Sequence, residues 1–236
     1  MKLYHGTSVK HLDSILSEGI KPRGNEPSTW AWSEGTPTSN AKCVYLAETL
    51  PVYYAINAVE KEDMLVLEVD MDMLPTSMLY PDEDFVWESA KGKFGSHAEI
   101  VEKLGDFKHH YGDSLDYLGS VAYMGTVAPE CITRYATLKY DGFWLMSFDQ
   151  SSSMMAYKIL SDHYKQKLEW IFGDSIEYPV NYMKHTKPDE EQLSKMPPEA
   201  RLSIERMFMD QDEHNESMRM TRDKLVTVVD CSKVGV

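Results

Sequence analysis

Cysteine is scarce and scattered in this sequence. Cys43, Cys131 and Cys231 are odd in number, far apart and nowhere spaced as CxxC, which argues against a disulfide framework or a cysteine-rich zinc site and predicts buried free thiols. No apolar run approaches the roughly 20 residues that a membrane-spanning helix needs. The opening MKLYHGTSVKHL also lacks the basic-then-apolar profile of a secretory signal, so the expectation is a cytoplasmic protein with no membrane partner. Positive charge is in short supply as well: 24 Lys plus Arg stand against 38 Asp plus Glu, a net charge of −14. That excess disfavours broad electrostatic binding of nucleic acid, although it leaves room for a local basic pocket. Nucleotide, metalloprotease and hydrolase signatures (GxGxxG, the P-loop, HExxH, GxSxG) are missing, and the eight histidines show no metal-ligand spacing. No metal site is expected.

What the chain does contain is a mixed pattern of strands and helices. KLYHGTS reads as a short strand, and Ser8 as the N-cap of a helix with Val9, Leu12, Ile15 and Leu16 on one face and Gly19 at its C-cap. Residues 21–40 are rich in Pro, Gly, Ser, Thr and Asn around Trp30 and Trp32, the texture of a long loop with aromatic anchors. A strand over Lys42–Leu46 leads to a helix with Thr49 as N-cap and Pro51 in its first turn. MLVLEVDMDML then reads as a buried strand, followed by the acidic, aromatic PDEDFVWES. From Ser96 to Tyr117 the pattern predicts one helix, SHAEIVEKLG, and then an irregular stretch. Two strands separated by Pro129 complete the first 142 residues.

Beyond Gly142 the texture turns helical, over Met154–Phe172 and Glu199–Met209, with a polar, proline-bearing stretch between them. The acidic run from Asp210 to Glu216 reads as a solvated face, and LVTVVD as a short closing strand. The predicted class is α+β: a mainly antiparallel sheet with flanking helices over residues 1–142, and a mainly helical C-terminal extension over 143–236 packed on it.

One constellation carries chemistry. His5-Gly6-Thr7 ends the first strand, Val44-Tyr45-Leu46-Ala47-Glu48-Thr49 spans the end of the second and the approach to the next helix, and Tyr53-Tyr54 follows on that helix. Each residue also has a plain structural use, since a His at a strand-to-turn junction satisfies a backbone carbonyl and a Tyr on an apolar strand packs in the core. In combination, HGT, ILSEGIKPR, VYLAET and the YY helix resemble the H-Y type of ADP-ribosyltransferase over residues 2–140. That resemblance implies a split antiparallel sheet and NAD as substrate. By the same resemblance, His5 would hold the NAD ribose, with Thr7 beside it. The Gly6 backbone would hold the carboxamide, and Tyr45 with Tyr53 or Tyr54 would sandwich the nicotinamide ring by stacking and cation–π attraction. Arg23 would lie near the pyrophosphate.

The third motif departs from the family pattern. Ser120 stands where many members place a glutamate that stabilises the oxocarbenium-like transition state, so the expected catalytic set is His5, Tyr45 and Ser120. Glu99, Glu130 or Asp116 would supply a carboxylate under a different strand alignment. The chain also resembles uncharacterised proteins of bacteriophages and mobile elements, which implies an effector working in a host cytoplasm on a macromolecular acceptor, a protein in preference to a nucleic acid given the charge. The alternative is an inactive, acidic member of the fold that binds and inhibits a host or defence protein. RNA 2′-phosphate transfer ranks last, because the basic cluster it needs is thin.

Overall fold

In a computed structural model, the structure describes residues 1–26, 39–48, 51, 55, 59, 61–89, 95–142, 157–178, 189–207 and 211–233. Among the described residues, seven strands form one sheet in the order β4-β5-β2-β1-β3-β6-β7. They are β1 Lys2–Ser8, β2 Cys43–Ala47, β3 Met64–Asp70, β4 Leu79–Pro81, β5 Ser120–Met124, β6 Ile132–Leu138 and β7 Val226–Asp230. Every pairing is antiparallel, so the predicted α+β class and sheet type hold.

β3 is an interior strand, between β1 and β6. Six of its seven residues, Met64 to Val69, are buried, which is why its sequence is an almost unbroken apolar run instead of an alternation. Leu65, Leu67 and Val69 pack on one face with Leu3 of β1 and Ile15 of helix α1 (Leu12–Glu18). Met64 and Val66 face the opposite side, against Leu168, Ile171 and Phe172 of the helix Tyr157–Phe172. At the other end of that second face, Cys43 and Ala122 pack on Val86, Ile100 and Leu104. These belong to a second group of helices: α2 (Glu83–Ser89), α3 (His97–Glu102) and a 3₁₀ segment over Leu104–His110 that leads into α4 (Tyr111–Leu118). The second face therefore carries two separate apolar clusters, one under each half of the sheet.

The halves join at one place. β1 pairs with β3 along its whole length, from Lys2 opposite Asp70 to Ser8 opposite Met64. With β2 it pairs only through Tyr4 and Ala47. β4-β5-β2 and β1-β3-β6-β7 are thus two ladders that touch at a single pair and then diverge.

Several local expectations are met with adjustments. Ser8 is a cap, accepting a bond from the Lys10 amide at 3.3 Å, but it caps a 3₁₀ turn, Val9–His11, ahead of α1. Gly19 closes α1 at φ +85, and the Cβ it lacks would fall 2.2 Å from the Val127 carbonyl oxygen. The irregular stretch read after residue 105 is instead the 3₁₀ segment and α4, ended by Gly119 in the left-handed region at φ +66. PDEDFVWES, read only as acidic and aromatic, forms α2. Thr49, Trp30 and Trp32 lie outside the described residues. All three cysteines are free and buried.

The C-terminal half supplies α5 (Tyr157–Phe172), α6 (Glu190–Ser194), α7 (Pro198–Met207) and α8 (Gln211–Leu225) before β7. α6 lies within the stretch expected to be merely polar. It exists because Asp189 and Gln192 make a reciprocal capping box. β7 then pairs with β6 from Leu138–Val226 to Arg134–Asp230, so the extension contributes a strand to the sheet. Among the described residues no helix is long and apolar enough to cross a membrane.

One polar cluster ties the sheet to α5. Glu68, 3% exposed on β3, accepts from Thr133 at 2.6 Å and from Arg134 Nε at 2.7 Å. The Arg134 guanidinium also pairs with Asp174, just past α5, and lies 4.6 Å from the centre of the Phe172 ring. Without Arg134, Glu68 keeps only the more distant Lys2 ammonium at 3.8 Å, and breaking a buried ion pair is costly, so Arg134→Ala should lower unfolding free energy by about 3 kcal/mol. Urea denaturation would measure this, and a loss near zero would show that water replaces the guanidinium at Glu68.

Candidate functional site

Of the sequence-predicted residues, His5, Gly6 and Tyr45 lie where β1 and β2 part. His5 sits in the middle of β1 opposite Leu67, and its ring reaches across the opening to the backbone carbonyl of Tyr45, with Nδ1 at 3.0 Å. A carbonyl only accepts, so Nδ1 carries the hydrogen, and in the neutral ring Nε2 holds the lone pair. Burial favours that neutral form and pushes the His5 pKa below its ordinary value, outweighing the opposite pull of the Tyr45 carbonyl. The His5 ring is therefore a strut across the split, as the structural reading of a strand-end His anticipates, and it carries an acceptor nitrogen on its other side.

Gly6 has a packing reason for lacking a side chain. A Cβ there would lie 1.9 Å from the carbonyl oxygen of Pro51 and 2.8 Å from the Ala55 Cβ, and both Pro51 and Ala55 have helical backbone. This close approach puts the segment after β2 directly against β1. Tyr53 and Tyr54 themselves lie outside the described residues. Thr7 is half-buried in the β1–β3 ladder opposite Leu65. Arg23 braces the loop ends: it donates to the Glu26 carbonyl at 2.6 Å, the Ser39 carbonyl at 2.8 Å and, more weakly, the Ser39 hydroxyl at 3.5 Å. Its partners among the described residues are neutral oxygens, on both the outgoing and the returning side of the loop.

Tyr45 stands in register with Ala122 of β5, which in turn is in register with Tyr80 of β4. Its hydroxyl donates to Glu83 Oε1 at 2.5 Å and accepts from the Asn40 amide, also at 2.5 Å. The same amide lies 3.1 Å from Glu83 Oε1. Burial, followed by the nearby Glu83 and Asp82 carboxyls, holds the Tyr45 phenol far above its usual range, so it stays protonated. Glu83 itself is 2% exposed, and its Oε2 is buried without a hydrogen-bond partner among the described residues. Burial first, and then the adjacent Asp82 charge, push its pKa up to about 8.

Ser120 is part of a neighbouring network and opens no path to solvent. It is 2% exposed, and its hydroxyl donates to Asp82 Oδ2 at 2.8 Å. Ser114 completes the ring, donating to the Ser120 carbonyl at 2.8 Å and accepting from the Asp82 amide at 3.0 Å. A serine hydroxyl has one proton to give, and this one is given to Asp82. Of the other carboxylates considered, Glu99 caps Gly95 and pairs with Lys103, while Glu130 and Asp116 are exposed.

Sequence reasoning missed three acids. Asp82 and Glu83 form the buried corner between β4 and α2. Glu48 follows β2 directly, donating its amide to the Gly119 carbonyl at 2.8 Å beside the Ala47–Ser120 pair. Burial raises the Glu48 pKa against the pull of Lys165. The signal for the corner was three consecutive acids among aromatics, but burial of such a run is decided only when β4 joins the sheet. Among the described residues, no group of three or more His, Cys, Asp or Glu side chains is placed to hold a metal ion.

No family model matches this chain, and no curated protein matches it either. The site is read from its own geometry.

Two outcomes are expected. The folded-state pKa of Glu83 lies above its ordinary value of 4.5 and near 8, so between those limits the folded protein binds a proton that the unfolded chain releases. Stability should therefore fall as pH rises through that window and level off above it. Glu83→Gln should remove this share of the slope in urea denaturation from pH 5 to 9, and an unchanged slope would assign the titration elsewhere. Gly6→Ala should cost about 3 kcal/mol or displace the Pro51 turn, because the clash is with backbone; a neutral effect in the same assay would contradict the close approach.

Proposed function

We propose that this chain is an NAD-consuming ADP-ribosyltransferase-like enzyme that transfers ADP-ribose to a macromolecule and releases nicotinamide. The observation that carries this reading is the opening of the sheet at the Tyr4–Ala47 pair, bordered by His5 on one side and Tyr45 on the other. NAD is the substrate in this reading. The neutral His5 ring suits it, because an imidazole with Nδ1 committed to a carbonyl offers Nε2 to a ribose hydroxyl. Gly6 takes part through its backbone, since the space of its missing Cβ is filled by Pro51. The Tyr45 ring offers a face to the cationic nicotinamide. Arg23, whose partners among the described residues are neutral oxygens, offers its guanidinium to pyrophosphate oxygens.

The acceptor in this reading is a protein. With a net charge of −14, approach to a polyphosphate backbone is repelled and approach to a basic protein surface is favoured. The second reading, an inactive acidic binding protein, is favoured by one specific observation: Ser120 is buried and gives its proton to Asp82, so the third-motif position presents no free group to a scissile bond.

Nicotinamide release from NAD, with and without cell lysate, separates the two. The enzyme reading expects release by the native protein and loss of release and of NAD binding in His5→Ala. That variant should also lose about 1 kcal/mol of stability with its bond to the Tyr45 carbonyl. No release and no NAD-induced rise in Tm would sink the enzyme reading. A partner complex that weakens steeply with salt would then support the binding protein.

A further inference from the structure

Glu83 is an expensive residue where it stands. Its carboxyl is buried, one oxygen makes two close polar contacts, and the other has no hydrogen-bond partner among the described residues. A structural role for position 45 would be met more cheaply by Phe against an apolar residue at 83, because an unpaired buried polar oxygen opposes folding. The arrangement is also held from behind. Glu83 is the first residue of α2. Its neighbour Asp82 is fixed by Ser114, by Ser120 and by the Asp84 amide at 3.0 Å. Across the sheet, Tyr45 lies in register with Ala122 and packs against the cluster of Cys43, Val86, Ile100 and Leu104. Packing confines the ring to that face, and its hydroxyl is gripped by Glu83 Oε1 and by the Asn40 amide in the turn that enters β2.

We propose that Glu83 is a positioning residue for the nicotinamide-holding face of Tyr45: through Oε1 it binds the Tyr45 hydroxyl and the Asn40 amide into one unit and sets the ring at the edge of the β1–β2 split. The assignment rests on the ADP-ribosyltransferase reading, which gives Tyr45 its substrate. Glu83 acts through Tyr45 and touches no reacting atom. Its role is to remove the rotational freedom that the ring would otherwise lose on binding, and preorganisation of that kind is read in substrate affinity.

The test is steady-state nicotinamide release by the full chain for the native protein, Glu83→Ala, Glu83→Gln, Tyr45→Phe and the Tyr45→Phe/Glu83→Ala double variant. Glu83→Ala should raise the KM for NAD about tenfold with a smaller change in kcat, and Tyr45→Phe should do the same. Glu83→Gln keeps an acceptor oxygen for both donors and should return KM to within about threefold of native. The double variant should be no worse than either single one, because both remove the same bond. Should Glu83→Ala not fold, Glu83→Gln against Tyr45→Phe carries the comparison. Release that depends on His5 but is indifferent to Glu83→Ala or Tyr45→Phe, or single effects that multiply in the double variant, overturns the assignment alone. Absence of both NAD binding and release in the native protein overturns the assignment together with the reading beneath it.

Discussion

The single Tyr4–Ala47 pair between β1 and β2 is the constraint on which the rest of the structure depends. A strand inside a sheet normally has its backbone groups satisfied on both sides. β1 has a full ladder toward β3 and one contact toward β2, so the sheet is two ladders hinged at a point. The His5 imidazole crosses that gap and satisfies the Tyr45 carbonyl. Gly6 lets the backbone at Pro51 close in from the other direction. The consequence is a split between two half-sheets that share one apolar cluster on the first face and have separate clusters on the second.

Each half-sheet is also fastened by a buried acid. On one side Glu68, Thr133, Arg134 and Asp174 fix β3 and β6 to the end of α5. On the other, Asp82 and Glu83 fix β4 and α2 to Ser120 of β5 and Tyr45 of β2. The two differ in how their charge is met. Glu68 has a guanidinium and behaves as half of an ion pair. Asp82 and Glu83 are met by hydroxyls and amides and, among the described residues, by no cation, and burial raises both pKa values. Burial favours the protonated acid, so the Asp82–Glu83 corner beside Tyr45 tends to hold a proton.

Much of the fold was legible because it follows from local rules. The apolar run of β3, the Ser8 and Gly19 caps and the β-branched LVTVVD each determine their own backbone. The segment after residue 105 was misread because 3₁₀ structure has weak periodicity and α4 is only eight residues long. At the site, His5, Gly6 and Tyr45 were found as a pattern. Glu83 was not, because nothing in PDEDFVWES distinguishes an acid that faces water from one buried beneath a tyrosine. Ser120 was found without its partner. Its position on β5 is legible, whereas the Asp82 carboxyl that takes its proton lies 38 residues away in sequence.

By itself, then, the sequence determined the α+β composition, the burial of the free thiols and the placement of His5-Gly6-Thr7 and Tyr45 on consecutive strands. These depend on spacing and on the properties of single residues. Only the tertiary structure decided that β1 and β2 part after one pair, that β7 returns from the C-terminal region to extend the sheet, and that Asp82 and Glu83 are buried beside Ser120 and Tyr45. Strand order and the burial of polar groups are set by contacts between segments far apart in the chain, and such contacts leave no periodic trace in either segment alone.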